Sequence, residues 1–299
     1  MSLKSIKTTA RVWTVTALLL VISSGVVGQS VAPAALPSRV VTVDFESALV
    51  KTRLPYRVVL PTDYERPESK NLTYPVLYLL HGLTGHYTDW TTRTKLAEYA
   101  ASYRIIIVTP EGNDGWYTDS ALSPNDKYES YILQELIPDV ERRFRAKSER
   151  QARGIAGLSM GGYGALKFAV KYPEKFVFAG SFSGALDIVS QTKETLRGSE
   201  AILRTVDQTF GPPGSPTRQA NDLFKLYREL PAEKIPSLPF LYFDSGTEDF
   251  VLPSNRAFQN LLLERKIPHE SRLLPGGHNW NYWNQQVAEL LRVAAGKLN

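Results

Sequence analysis

The sequence has no cysteine. That excludes disulfide bonds, thiolate metal sites, a cysteine nucleophile and a lipidated N-terminal cysteine, and it is compatible with either redox compartment. Histidine is scarce as well, with four scattered residues and no H-E-x-x-H pattern, so no metal or organic cofactor is implied. Charge of one sign is not in great excess. The formal net charge is +5, and Lys4, Lys7 and Arg11 carry part of it in a segment that reads as removable, which leaves about +2. The densest basic run, Arg142-Arg143-Phe144-Arg145-Ala146-Lys147, is interrupted by Phe144 and flanked by Glu141 and Glu149, as suits the solvated end of a helix. A nucleic-acid partner is therefore not expected. There is no internal repeat and no low-complexity tract.

Long apolar runs are also missing, with one exception. Val12 to Val27 follows the three N-terminal basic residues and precedes the small residues Gly28, Ser30 and Ala32, the layout of a secretory signal peptide over residues 1–32. The expectation is a secreted or periplasmic protein with no membrane span after cleavage. An uncleaved anchor is the alternative, disfavoured because the run falls short of the roughly 20 residues that span a bilayer comfortably.

What remains is an enzyme-sized globular chain, 43% hydrophobic and 22% charged. After a linker at 33–39, alternating segments Val40–Phe45 and Leu54–Leu60 suggest an antiparallel strand pair. Short apolar runs then alternate with helix-length segments: Val76–Leu80, Ile105–Val108, Gly154–Ala156, Phe176–Phe182, Phe240–Phe243 and Ser271–Leu274. This alternation predicts an α/β fold over 40–299, a mostly parallel sheet covered on both faces. A helix is expected over Lys127–Phe144, kinked by Pro138. Between about 185 and 238 the alternation stops at breakers such as Gly211-Pro212-Pro213-Gly214, which predicts a small helical cap inserted above the sheet.

The strongest local signal is Gly157-Leu158-Ser159-Met160-Gly161, a G-x-S-x-G pattern between an apolar segment and a helix-compatible stretch. A sharp strand-to-helix turn strains the serine backbone and exposes its hydroxyl at a helix N-terminus, and bulk at either glycine would collide with neighbouring chain. An alcohol needs a base to become a nucleophile, and the fold's chain order places an acid and then a histidine downstream. His278, in the loop Pro275-Gly276-Gly277-His278-Asn279-Trp280, suits that role better than His269, which reads as structural. Of the carboxylates Asp244, Glu248 and Asp249 beyond the Phe240 strand, Asp249 is favoured and Glu248 is the runner-up, with Asp244 read as capping a turn at the strand's edge. Oxyanion donors are expected from the backbone amides of Met160 and of Leu83, within His81-Gly82-Leu83-Thr84-Gly85. His81 reads as fixing that loop and His86 as exposed. Trp116 and Tyr117 are candidates for lining the substrate pocket, or alternatively for plain packing.

Four segments, His81-Gly82-Leu83-Thr84-Gly85 with Trp90, Gly157 to Ala165, Gly246-Thr247-Glu248-Asp249-Phe250, and Gly277-His278-Asn279-Trp280 with Trp283, together resemble the putative-esterase family of the α/β-hydrolase fold. That family includes S-formylglutathione hydrolases, tributyrin esterases, feruloyl esterases and mycolyltransferases. The resemblance runs from about Val40 to Leu291. It implies a triad of Ser159, Asp249 and His278 with Leu83 and Met160 as oxyanion donors. The cytosolic glutathione-linked members usually carry cysteines and no export signal, so the chain looks closer to the secreted short-chain and feruloyl-type esterases. The expected function is an exported serine esterase that hydrolyses short-chain or aromatic acyl esters, small-molecule or carbohydrate-linked. The alternatives are acyl transfer by the same triad, a thioester hydrolase of the S-formylglutathione type, and a non-catalytic binding protein that keeps the fold.

Overall fold

The computed structural model describes residues 39–196 and 199–299. The expected signal peptide and all but the last residue of the linker lie outside the described residues. Eight strands form one sheet: β1 (Val40–Val43), β2 (Tyr56–Val59), β3 (Val76–Leu80), β4 (Ile106–Pro110), β5 (Arg153–Leu158), β6 (Phe178–Phe182), β7 (Phe240–Gly246) and β8 (His269–Leu274), in spatial order β1-β2-β4-β3-β5-β6-β7-β8. β2 runs antiparallel to both its neighbours, with Val40 opposite Val59 at one edge. From β4 to β8 every pairing is parallel.

A parallel sheet needs cover on both faces, and its strands show why they read as unbroken apolar runs. In β3, Val76, Tyr78 and Leu80 join one core, while Leu77 and Leu79 join the other. Helices α1 (Met160–Lys171), α2 (Glu200–Phe210) and α3 (Leu252–Glu264) contribute to the first core, and α4 (Trp280–Ala295) covers the second. The strand order, the parallel register and the two helical layers are those of the α/β-hydrolase fold.

Two local expectations are refined. The Lys127–Phe144 segment is helical, but Tyr131–Leu136 winds as a π-helical turn between helical pieces Tyr128–Ser130 and Ile137–Arg143. Pro138 sits at the start of the last piece, and its missing N–H removes an i→i−4 bond from the wider turn before it. The segment between β6 and β7 holds short helices, α2 the longest among the described residues. α2 stops at Gly211, where φ is +79°, and the next helix begins at Pro216 with the Ser215 hydroxyl accepting from the Arg218 amide at 3.2 Å.

Two buried polar clusters were not foreseen. On α1, the completely buried Lys167 ammonium donates to Glu129, the Tyr117 carbonyl and the Thr118 hydroxyl, each at 2.6 Å. Burial pushes the Lys167 pKa down to about 8 against the raising effect of Glu129. Burial likewise disfavours the Glu129 charge, but Lys167 and Lys171 outweigh it and hold the carboxyl at about 2. Breaking a buried pair leaves an uncompensated charge, so Glu129→Ala is expected to cost about 3 to 5 kcal/mol, read from urea unfolding.

In the sheet, Asp244 lies inside β7, fully buried, and accepts from the hydroxyls of Tyr242 at 3.0 Å and Tyr282 at 2.9 Å. Burial raises its pKa to about 7. Between about pH 4 and 7 the folded chain therefore holds a proton that the unfolded chain has released, and this residue's contribution to stability declines as pH rises through that window. Urea unfolding at pH 5 and pH 8 tests this. Asp244→Asn should gain on the parent chain at the higher pH, and parallel behaviour of the two would contradict the assignment.

Candidate active site

The β5 strand ends at Leu158 and α1 begins at Met160, which leaves Ser159 alone to turn the chain, at φ 51° and ψ −112°. No β-carbon fits beside it at two points. One on Gly157 would stand 2.6 Å from the Gly161 carbonyl group, and one on Gly161 would stand 2.6 Å from the His81 oxygen. The glycines therefore let the turn close and let β3's following loop lie against it. The turn is tied to β6 by the Ser159 amide donating to the Phe182 carbonyl at 2.9 Å.

His278 and Asp249 reach the serine from two loops zipped together beyond β7 and β8. The Thr247 amide donates to the Leu274 carbonyl and the Glu248 amide to the Gly276 carbonyl, each at 2.9 Å. Gly276, at φ +136°, turns the second loop back, and the Asn279 side chain then caps α4 by accepting from the Tyr282 amide at 3.1 Å. His278 Nε2 stands 3.0 Å from Ser159 Oγ, and its Nδ1 stands 3.0 and 3.1 Å from the two Asp249 oxygens. Phe250 and Trp283 pack against the imidazole at centroid distances of 4.5 and 5.0 Å.

Among the competing carboxylates, Asp249 contacts the histidine, the exposed Glu248 does not, and Asp244 is withdrawn into the sheet because β7 extends three residues beyond the expected Phe243 end. Asp244 does not cap a turn at the strand's edge. Burial alone would raise the Asp249 pKa, but hydrogen bonds from His278 and Ser183 outweigh it, so the group stays ionised below the ordinary carboxylate range. Ser183, just past β6 at φ 46°, was missed in the sequence. Trp283 Nε1 donates to its hydroxyl at 3.2 Å, which aims that hydroxyl at Asp249. The serine in Ser181-Phe182-Ser183-Gly184 carries no local signal of that role.

The loop of Leu83 lies directly on the serine turn, and a β-carbon on Gly82 would meet the Leu158 side chain at 2.5 Å. The Thr84 amide is taken by Asp114 at 2.6 Å and the Gly85 amide by the Gly82 carbonyl at 3.0 Å, whereas among the described residues the Leu83 N–H has no acceptor. Met160 is the first residue of α1, where helix amides lack partners within the helix. His81 fixes this loop. Its Nδ1–H donates to the Gly82 carbonyl at 2.8 Å and its Nε2 accepts from the Gly112 amide at 2.9 Å. His86 is exposed, as expected, and His269 is placed on β8 with its ring stacked on Phe243.

Two cavities open from Ser159. One, of about 270 Å³, runs under α2 between Trp116, Ile188, Leu196 and Phe250. The other, of about 610 Å³, lies over Gly82, Thr84, Asn279 and Trp280. Trp116 thus lines a cavity and is held there by its Nε1 donating to the Thr205 hydroxyl of α2 at 3.0 Å. Tyr117 is not part of the lining. Its ring lies on Gly164 and its hydroxyl donates to the His81 carbonyl at 3.1 Å, beneath the Leu83 loop. Phe250 borders both cavities and is 74% exposed, an apolar surface left open at the mouth of the site.

Known proteins share this arrangement of chain. A family model described as "Putative esterase" matches residues 47–293. An acetyl esterase from Caldicellulosiruptor saccharolyticus is 30% identical over 257 residues, which span 83% of this chain and 95% of that protein. Among solved structures, a ferulic acid esterase is 28% identical with a TM-score of 0.70, covering 86% of this chain and 97% of that one. A substrate-bound fluorophosphonate-binding serine hydrolase from Staphylococcus aureus is 24% identical with a TM-score of 0.75, covering 86% and 98%, a likeness that speaks to the fold. The chain belongs to the putative-esterase family and is a carboxylic ester hydrolase of the α/β-hydrolase fold.

Proposed function

We propose that the chain is an exported serine esterase that cleaves short-chain or aromatic acyl esters through a covalent acyl-enzyme. The observation that carries this reading is the continuous relay from Asp249 through His278 to Ser159 Oγ, with every link at 3.0 to 3.1 Å. Ser159 Oγ attacks the ester carbonyl while His278 Nε2 takes its proton, and Asp249 stabilises the imidazolium and fixes its orientation. The Leu83 and Met160 amides receive the oxyanion, each such donor being worth about 3 to 4 kcal/mol of barrier. His278 then protonates the leaving alcohol, and the same histidine activates water to release the acid.

The two cavities suit the two halves of an ester. The smaller, largely apolar one fits an acyl group well below the length of a long fatty chain, and the relatives' names, acetyl esterase and ferulic acid esterase, bracket that range. The larger one takes the alcohol, whether small or carbohydrate-linked. Its size also admits an acceptor alcohol in place of water, which makes acyl transfer the second reading. The export part of the proposal rests on the N-terminal basic and apolar pattern.

The test is hydrolysis of p-nitrophenyl acetate, butyrate and octanoate and of methyl ferulate by the mature chain. Activity should fall with octanoate and vanish in Ser159→Ala. Asp249→Asn should lower kcat by about 10⁴-fold, since the amide no longer holds the required tautomer, while Glu248→Gln should stay within a few-fold of the parent. New ester forming faster than free acid when a sugar alcohol is present would replace hydrolysis by transfer.

A further inference from the structure

Phe250 is 74% exposed, and a lone exposed phenylalanine ordinarily needs no explanation. This one follows Asp249 directly and rests on His278. The Asp249 amide donates to the Gly246 carbonyl at 3.2 Å, while Asp249 accepts the Val251 amide at Oδ1 and the Leu252 amide at its carbonyl, each at 3.0 Å. The backbone on both sides of Phe250 is therefore pinned to the residue that orients His278, and the ring meets the imidazole at a centroid distance of 4.5 Å. With Trp283 at 5.0 Å, it leaves the His278 side chain 17% exposed.

The two cavities share Leu83, Ser159, Ile202 and Phe250, but His278 lines the larger one and not the smaller. Release of the acyl group needs a nucleophile whose proton passes to His278 Nε2, so that nucleophile arrives through the larger cavity. There it meets Phe250 and Trp283 against the imidazole, with Trp280 beyond at 5.2 Å from the Trp283 ring. Water gains nothing from these apolar faces, whereas the alkyl or aryl body of an alcohol buries surface against them.

We propose that Phe250 selects the acceptor for the acyl-enzyme: its open face holds the apolar part of an incoming alcohol beside His278, which lets such alcohols compete with water. This rests on the acyl-enzyme reading of Ser159. The alcohol oxygen bonds to the acyl carbon as its proton passes to His278 Nε2. The bond from that carbon to Ser159 Oγ then breaks, and the proton returns to Oγ, which leaves a new ester and the free enzyme. Methanol has no body to lay on the ring and gains little from it.

The test supplies the mature chain with p-nitrophenyl butyrate and equal concentrations of methanol and butan-1-ol, and measures p-nitrophenol and the two butyrate esters formed. The parent should make butyl over methyl butyrate by about fivefold or more, the range for burying part of the longer alkyl chain. Phe250→Ala should cut that ratio by about threefold or more, and Phe250→Tyr, which keeps the ring, should hold it near the parent's value. The ratio compares two acceptors on one acyl-enzyme, so a general loss of folded protein does not move it. Where Phe250→Ala releases too little p-nitrophenol to measure, Phe250→Leu gives the reading, with a ratio below the parent's. A parent ratio near one overturns the proposal without any variant, and so does a parent-like ratio in the alanine or the leucine variant. Release of p-nitrophenol with no preference for butan-1-ol sinks the Phe250 assignment alone, whereas no release at all sinks the hydrolase reading beneath it.

Discussion

A single residue, Ser159, has to reverse the chain between β5 and α1, and it does so at φ 51° and ψ −112°, outside the regions an ordinary side chain prefers. The strain persists because the turn is gripped from every side. The Ser159 amide is bound to the end of β6, its carbonyl accepts from Tyr163 and Ala185, and the Leu83 loop lies against it where Gly157 and Gly161 leave no room for side chains. The hydroxyl is therefore presented in one place, at the amino end of a helix and at the carboxyl ends of parallel strands, where loops from β3, β6, β7 and β8 converge.

Those loops divide the work by what each strand end can offer. The β3 loop is stiffened by His81, by Tyr117 beneath it and by Trp90, whose Nε1 donates to the Leu80 carbonyl at 3.0 Å. The β7 and β8 loops hold each other through backbone bonds, and Ser183 from β6 steadies the acid that they deliver. Below the site, the Lys167–Glu129 pair anchors the carbonyl of Tyr117, so a charge buried in the helical layer supports a loop that faces substrate. Rigidity at the nucleophile is thus built from contacts that begin well away from it.

Much of this was legible in the amino-acid order because its signals are local. Glycines at fixed offsets mark the Ser159 turn, alternating short apolar runs mark a covered parallel sheet, and a glycine loop marks the approach of His278. The choice between Glu248 and Asp249 was not local, because it depends on how the β7 loop pairs with Gly276. Asp244 was misplaced for a similar reason: β7 continues through a polar stretch, Asp244-Ser245-Gly246, whose backbone pairs with β8 and whose Asp244 carboxylate finds its partners in Tyr242 and, on α4, Tyr282. Ser183 and Lys167 had no pattern to reveal them. Each acquires its setting from residues far along the chain, and a serine or a helical lysine is ordinary until those neighbours arrive.

The account stands on Ser159 as the atom that is acylated. Rapid quenching of the chain during turnover of p-nitrophenyl butyrate, followed by peptide mass spectrometry, tests this directly. The account predicts a butyryl group on the peptide that contains Ser159, absent when the same experiment is run on Ser159→Ala. Steady turnover with no acylated peptide, or with the acyl group on any other residue, would contradict it.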